Sequence, residues 1–319
     1  MADKPHKHQK YELLIASCHA LPAVATAVAY PCDEVSLRAA ADAAQAGLIA
    51  PVLVGPAAQI DALAASLHID LSGYRRVDAP HGKAAAARAV ELVRSGEVHA
   101  LMKGSLHTDA LLAEVVRPAT GIRTERRLSH VFIMDVPTYA KPLFITDAVV
   151  NIRPDLEQKA EILQNAIELA HALGRTTPKV AILSAVETVT SKLPATIDAA
   201  ALCKMAERGQ ITGALLDGPL AFDNAVSPGA AQIKHIESPV AGDADILLTP
   251  DLEAGNMLAK ELSFLANADA AGIVLGARVP VILTSRADSQ RTRMASCAVA
   301  ALYAHATRPA HAAPQPGGR

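Results

Sequence analysis

The chain contains no tryptophan, and aromatic residues make up only 3% of its 319 positions. Core packing therefore falls to alanine, valine, leucine and isoleucine in a sequence that is 51% hydrophobic. That composition suits alanine-rich helices lying on a β-sheet. No apolar run approaches the roughly 20 residues that a membrane-spanning helix requires. The opening MADKPHKHQK lacks the apolar centre of a signal peptide, so a cytoplasmic protein without membrane contact is expected. Neither sign of charge dominates, since 30 Lys and Arg stand against 32 Asp and Glu for a net charge of −2. A general nucleic-acid binder would carry a basic surplus, so none is expected, while a local pocket for a small anion fits this balance. The cysteines Cys18, Cys32, Cys203 and Cys297 form no CxxC pair. Reduced thiols fit this better than a disulfide framework or a zinc site.

Several catalytic motifs are also missing. There is no GxxxxGK[ST], so no Walker-type ATP site is expected, and no GxGxxG opens a dinucleotide fold. The absence of HExxH disfavours a zinc hydrolase, and the absence of GxSxG disfavours an α/β-hydrolase.

What the sequence does contain is a βα rhythm. Runs at residues 13–18, 51–54, 100–103, 131–136, 179–184, 213–216, 245–249 and 279–284 read as strands. Longer segments lie between them. In residues 155–173, for example, Ile162, Ala166, Leu169, Ala170 and Leu173 recur at helical spacing. Such alternation implies parallel sheets with right-handed crossovers. The length exceeds what one core usually serves, which favours two domains. HVFIMDV and PLFITDAVV, separated by residues 137–141, look like a strand pair, after which the rhythm restarts. The expected fold class is α/β, with two open α/β domains of mainly parallel sheets and an inter-domain cleft. Residues 1–147 and 272–319 would form the first domain, and residues 148–271 the second. The tail from about residue 307 has nothing to bury and is expected to stay disordered.

Ligands of open α/β sheets bind beyond the carboxyl ends of strands, so polar residues there are the candidates. After HALMK come Gly104, Ser105, His107 and Thr108, and after AILS come Glu187, Thr188, Thr190, Ser191 and Lys192. Asp217 and Asp251 end two further strands, with Gly255 and Asn256 close behind. VPVILT runs straight into Ser285, Arg286 and Asp288. Helix capping accounts equally well for Ser105, Thr108, Ser191, Asn256, Asp288 and Ser289 taken singly. Arg286 is different, because a guanidinium at a buried strand end needs a carboxylate or an anionic ligand. Arg123, Arg126 and Arg127 form a second cationic group before HVFIM, readable as a solvated strand start or as an anion site. The thiols read as small apolar fillers.

SPVAGDADILLTPDLEAGNMLAKEL (residues 238–262), followed by a strand ending in Ser285-Arg286, resembles the phosphate acetyltransferase and phosphate butyryltransferase family. LMKGSLHT, GIRTERRLSHVFIM and KVAILSAVE are similar to its other blocks, and the resemblance spans residues 13–303. It implies the two-domain layout shared with isocitrate and isopropylmalate dehydrogenases, usually as a homodimer. The implied reaction is reversible acyl transfer between coenzyme A and inorganic phosphate. Both are substrates, and no permanently bound cofactor or metal is expected. A separate acyl kinase is the expected metabolic neighbour.

Within this resemblance Arg286 binds the phosphoryl group, Ser285 bonds a carbonyl or phosphate oxygen, and Arg123 and Arg127 bind anions. Lys103, Ser105 and Asn256 are further substrate-binding candidates. One departure concerns the base. Six residues beyond Arg286, where the acetyltransferase branch carries an aspartate, this chain has Thr292. Asp288 is the nearest carboxylate, either a stand-in base or the cap of the last helix. SRADS is more similar to the butyryltransferase branch. Two other readings stay open. One is a metal- and NAD-dependent decarboxylating dehydrogenase, for which Asp217, Asp251 and the Tyr139–Lys141 pair are the suggestive residues. The other is a degenerate protein that binds coenzyme A without turnover.

Overall fold

The structure is a computed structural model describing residues 8–283 and 288–307. The expected strand at 13–18 is instead part of helix α1 (Gln9–Cys18). Tyr11, Leu14, Ile15 and Cys18 face the core at helical spacing, a stripe hidden inside a short apolar run. The first strand is β1 (Val24–Ala29), followed by α2 (Glu34–Gln45), β2 (Ile49–Gly55), α3 (Ala57–Leu67) and β3 (Arg75–Asp78). Next come α4 (Gly82–Arg94), β4 (Ala100–Lys103) and α5 (Thr108–Val115). The antiparallel pair β5 (Ser129–Asp135) and β6 (Leu143–Thr146) is the one expected from sequence.

Then α6 (Leu156–Ala172) is closed at its start by a capping box between Asp155 and Gln158. It leads to β7 (Lys179–Leu183), α7 (Pro194–Glu207) and β8 (Leu215–Leu220). The short helices α8 (Phe222–Val226) and α9 (Pro228–Ile233) precede β9 (Ile246–Leu248) and α10 (Leu252–Phe264). The described chain closes with β10 (Asp269–Leu275), β11 (Val281–Ile282) and α11 (Gln290–Thr307).

Where two sheets were expected, all eleven strands join in one, ordered β3-β2-β1-β4-β11-β10-β5-β6-β9-β7-β8. The four strands β1 to β4 and β11 run parallel to one another. β6, β9, β7 and β8 form a second parallel group. Antiparallel β10 and β5 stitch the groups together. The two parallel groups therefore run in opposite directions, and their carboxyl ends emerge on opposite edges of the sheet.

The core is continuous on one face and divided on the other. Val28, Met102, Ile133, Phe144, Ile182 and Ile273 belong to one cluster reaching across both groups. Their neighbours along the strands point the other way. Ala27, Leu101 and Val274 pack in one separate cluster, while Ile145, Ala181 and Leu247 pack in another. The division falls on β10. Val274 joins the first cluster and Ala270 packs on the second, with Gly272 between them opposite Phe132.

Candidate active site

The sheet register places the most suggestive residues side by side. Val281 pairs with Leu101 and Ile282 with Met102, so Leu283 falls next to Lys103 as both strands end. Ser285 and Arg286 lie outside the described residues. The Lys103 ammonium donates to the carbonyls of Gly104 and Leu106 at 3.1 and 3.3 Å. A Cβ on Gly104 would sit 2.4 Å from the Tyr30 oxygen, which requires glycine there. The amides of Gly104 and Ser105 donate to the carbonyls of Ala29 and Tyr30 at 2.9 and 2.8 Å. Ser105 does not cap α5. Its hydroxyl donates to the Tyr30 carbonyl at 2.9 Å and accepts from the Cys32 amide at 3.3 Å.

On the far side of residues 284–287, Ser289 takes the capping role. Its Oγ accepts from the Thr292 amide at 3.1 Å, and the Thr292 hydroxyl lies 3.1 Å from the same oxygen. Asp288 is half-buried, and its carbonyl accepts from the Arg293 guanidinium. Thr292, at the position where a carboxylate was sought, is thus part of the first turn of α11.

Arg123, Arg127 and Asn256 belong to the opposite edge, and the structure does not bring them beside Lys103. Arg123 and Arg127 are exposed and Arg126 is half-buried, with Glu161, Asn165 and Glu168 of α6 meeting the cluster. Arg126 pairs with Glu168 at 2.6 Å, and the Arg127 amide donates to Glu161 at 2.6 Å. The Arg127 guanidinium donates to Asn151 at 3.2 Å. Arg123 is exposed, with no ion pair or side-chain hydrogen bond among the described residues. Asn256 is not a cap, since Asp251 caps α10 by accepting from the Ala254 amide at 2.9 Å. The Asn256 amide group donates to the Ala148 carbonyl at 3.0 Å. Gly255 allows that approach, because a Cβ there would meet Asp147 O and Thr249 Oγ1 at 2.7 Å each.

One polar residue at the centre was not a sequence candidate. His130 is 1% exposed on β5, with its Nδ1 unpartnered and its ring edge-on to Phe132 at 4.4 Å. Burial holds its pKa down at about 4, and the nearby Asp147 carboxylate opposes that shift. Its only sequence signal was a histidine inside an otherwise apolar strand, which is the ordinary signature of a core residue.

The thiols behave as fillers. Burial raises Cys18 and Cys32 to about 11 and Cys203 and Cys297 to about 12, so each stays protonated near neutrality. The residues suggestive of a dehydrogenase have structural duties. The Tyr139 hydroxyl donates to Ala244 at 2.6 Å, and Lys141 pairs with Asp243 and Asp245 at 2.9 and 3.0 Å. Asp217 accepts from the Gly218 amide, and Asp251 caps α10. Among the described residues no group of three or more His, Cys, Asp or Glu is placed to hold a metal ion. No helix among them is long and apolar enough to cross a membrane.

Comparison with known proteins identifies the family. Residues 83–301 match the family model described as "Phosphate acetyl/butaryl transferase". A phosphate acetyltransferase of Rhizobium meliloti is 63% identical over 309 residues, covering 97% of this chain and 98% of that one. A phosphate butyryltransferase of Clostridium acetobutylicum is 42% identical over 278 residues, covering 87% and 92%. Among solved structures, a branched-chain phosphotransacylase from Enterococcus faecalis V583 superposes with a TM-score of 0.76 at 30% identity, covering 88% and 99%. Sheet and relatives define the class as an α/β acyltransferase. More narrowly, the chain belongs to the phosphate acetyl/butyryl transferase family.

Proposed function

We propose that this enzyme transfers an acetyl or butyryl group reversibly between coenzyme A and inorganic phosphate, by direct attack of the thiol on the acyl phosphate. The observation that carries this reading is the register that sets Lys103 beside the strand leading into Ser285, Arg286 and Asp288. The thiolate sulfur bonds to the acyl carbon, the carbonyl collects negative charge, and collapse breaks the carbon–oxygen bond to phosphate. No protein nucleophile is required, in keeping with four protonated thiols. Positioning, deprotonation of the thiol and stabilisation of the oxyanion are then the protein's tasks.

In this reading Arg286 holds the phosphoryl oxygens through its bidentate fork, and Ser285 bonds the carbonyl or phosphate oxygen. Asp288 takes the thiol proton, while Ser289 supplies the helix cap. Lys103 and Ser105 shape the same edge. The proposed cleft lies over Gly272 and Phe132, where the core is divided, with β1 to β4 and β11 on one side and β6 to β9 on the other. That arrangement would match the two-domain dehydrogenase layout. Arg123, Arg127 and Asn256 would meet the distal phosphates of coenzyme A across the opening. A cytoplasmic homodimer feeding acyl phosphate to an acyl kinase completes the reading.

The test is release of free thiol from acetyl-CoA and butyryl-CoA with and without phosphate. Phosphate-dependent release supports the proposal, and the faster substrate identifies the acyl preference. Coenzyme A binding without turnover would favour a degenerate protein. Turnover seen only with NAD and a divalent metal would replace the reading with a dehydrogenase.

A further inference from the structure

A cavity among the described residues lies on the undivided face, away from Phe132. It has a volume of about 510 Å³ and sits between α1, the C-terminal turn of α6, and α11. Ile133, Phe144 and Ala271 form its floor, and Leu14 and Leu302 flank it. Ile133 follows Phe132 on β5, so strand alternation points it away from the proposed acyl-transfer cleft. The cavity exists because Ala172, Ala271 and Ala295 end at Cβ where larger side chains would meet. Its size and apolar lining are those of a small-molecule site.

The charges around the mouth decide the ligand class. Lys10 is matched by Asp135 at 2.6 Å, with both side chains mostly buried. Asp269 is matched by His8 and by Arg291 at 3.5 Å. Arg175 has no such match. Every other half-buried or buried Lys or Arg side chain among the described residues has a hydrogen-bonding or ionic partner, whereas Arg175 has none. It follows Gly174 just beyond α6, where a cation also suits the helix dipole. That placement explains a positive charge near the helix end but not one that lines an apolar cavity.

We infer that this cavity binds an aliphatic monocarboxylate, with the alkyl chain on Ile133, Phe144 and Leu302 and the carboxylate on the Arg175 guanidinium. A planar fork facing an apolar chamber matches a carboxylate head on a hydrocarbon tail, and a charge-assisted pair there is stronger than a neutral one. The site does not depend on the acyl-transfer reading, because it uses the other face of the sheet and different residues.

Titration calorimetry of the full chain with octanoate, and separately with 1-octanol, tests it. Saturable binding of one octanoate per chain is expected, with octanol at least tenfold weaker. Arg175→Gln should weaken octanoate by about tenfold or more and leave octanol unchanged. Ala271→Leu, which fills the floor, should abolish binding of both while the circular dichroism spectrum stays native. If that variant does not fold, the Arg175→Gln comparison decides alone. No saturable heat, equal affinity for octanoate and octanol, or an unaffected Arg175→Gln variant would overturn the inference. So would a second copy of the chain found to cover the cavity and exclude octanoate.

Discussion

Replacing Gly104 with alanine probes the edge on which the proposed chemistry depends. The added Cβ would lie 2.4 Å from the Tyr30 carbonyl oxygen and 2.5 Å from that of Ala29. These are the two oxygens that accept the Ser105 and Gly104 amides, at 2.8 and 2.9 Å. Ordinary contact begins near 3.4 Å, so the loop must retreat by 1.0 Å (3.4 − 2.4) against backbone that cannot rotate aside. Two backbone hydrogen bonds at about 1 kcal/mol each are then weakened. Overpacking adds about 1–3 kcal/mol, and the lost flexibility of glycine in the unfolded chain returns up to about 1 kcal/mol. The expected loss of stability is about 2–4 kcal/mol by these terms, read as a lower guanidinium midpoint at constant slope. Since Lys103 and Ser105 move with the loop, kcat/KM should fall about a hundredfold. Gly73 is the control, with nothing within 4 Å of its Cβ, and Gly73→Ala should stay within about 0.5 kcal/mol of the parent. Parental stability and turnover in Gly104→Ala would refute the reasoning.

Other perturbations test separate parts of the account. Arg286→Ala should lower kcat/KM for phosphate by about two to three orders of magnitude, and an unchanged phosphate dependence would remove Arg286 from the site. Asp288→Asn should cut kcat by about 10²–10⁴ if its carboxylate takes the thiol proton. A destabilised but fully active variant would return Asp288 to a structural role. His130 predicts a pH signature. Its folded pKa lies below the ordinary 6.5, at about 4, so the unfolded ring binds a proton first. The stability it contributes is complete above about pH 6.5 and is lost as pH falls towards 4, roughly 3 kcal/mol over that window. His130→Gln should flatten the denaturation midpoint across the same range, and an unchanged slope would mean that another group governs it.

How much of this was legible in the sequence varied with the kind of residue. The helix over 155–173 was plain, because helical periodicity and a capping box mark it. β1 was missed because VATAVA is buried on both faces and shows no alternation. The 213–216 run belongs to a strand that continues to Leu220, through Gly218 and Pro219, which read as a turn. The single sheet was hidden because β10, DAAGIVL, carries Gly272 at its centre and resembles a loop. Strand ends singled out Lys103, Ser105 and Asp288 as candidates, since a chain leaving a parallel sheet must place its next residues at the edge. Which polar group each side chain meets depends on contacts distant in sequence, such as Ser105 with Tyr30 or Asn256 with Ala148. No local pattern encodes those pairs.

The account stands on direct transfer from acyl phosphate to thiol, and rapid mixing of the enzyme with acetyl-CoA in the absence of phosphate tests it most directly. Direct transfer predicts no burst of free thiol and no acetylated protein by mass spectrometry, with turnover beginning only when phosphate is added. A stoichiometric burst accompanied by an acetylated side chain would contradict it.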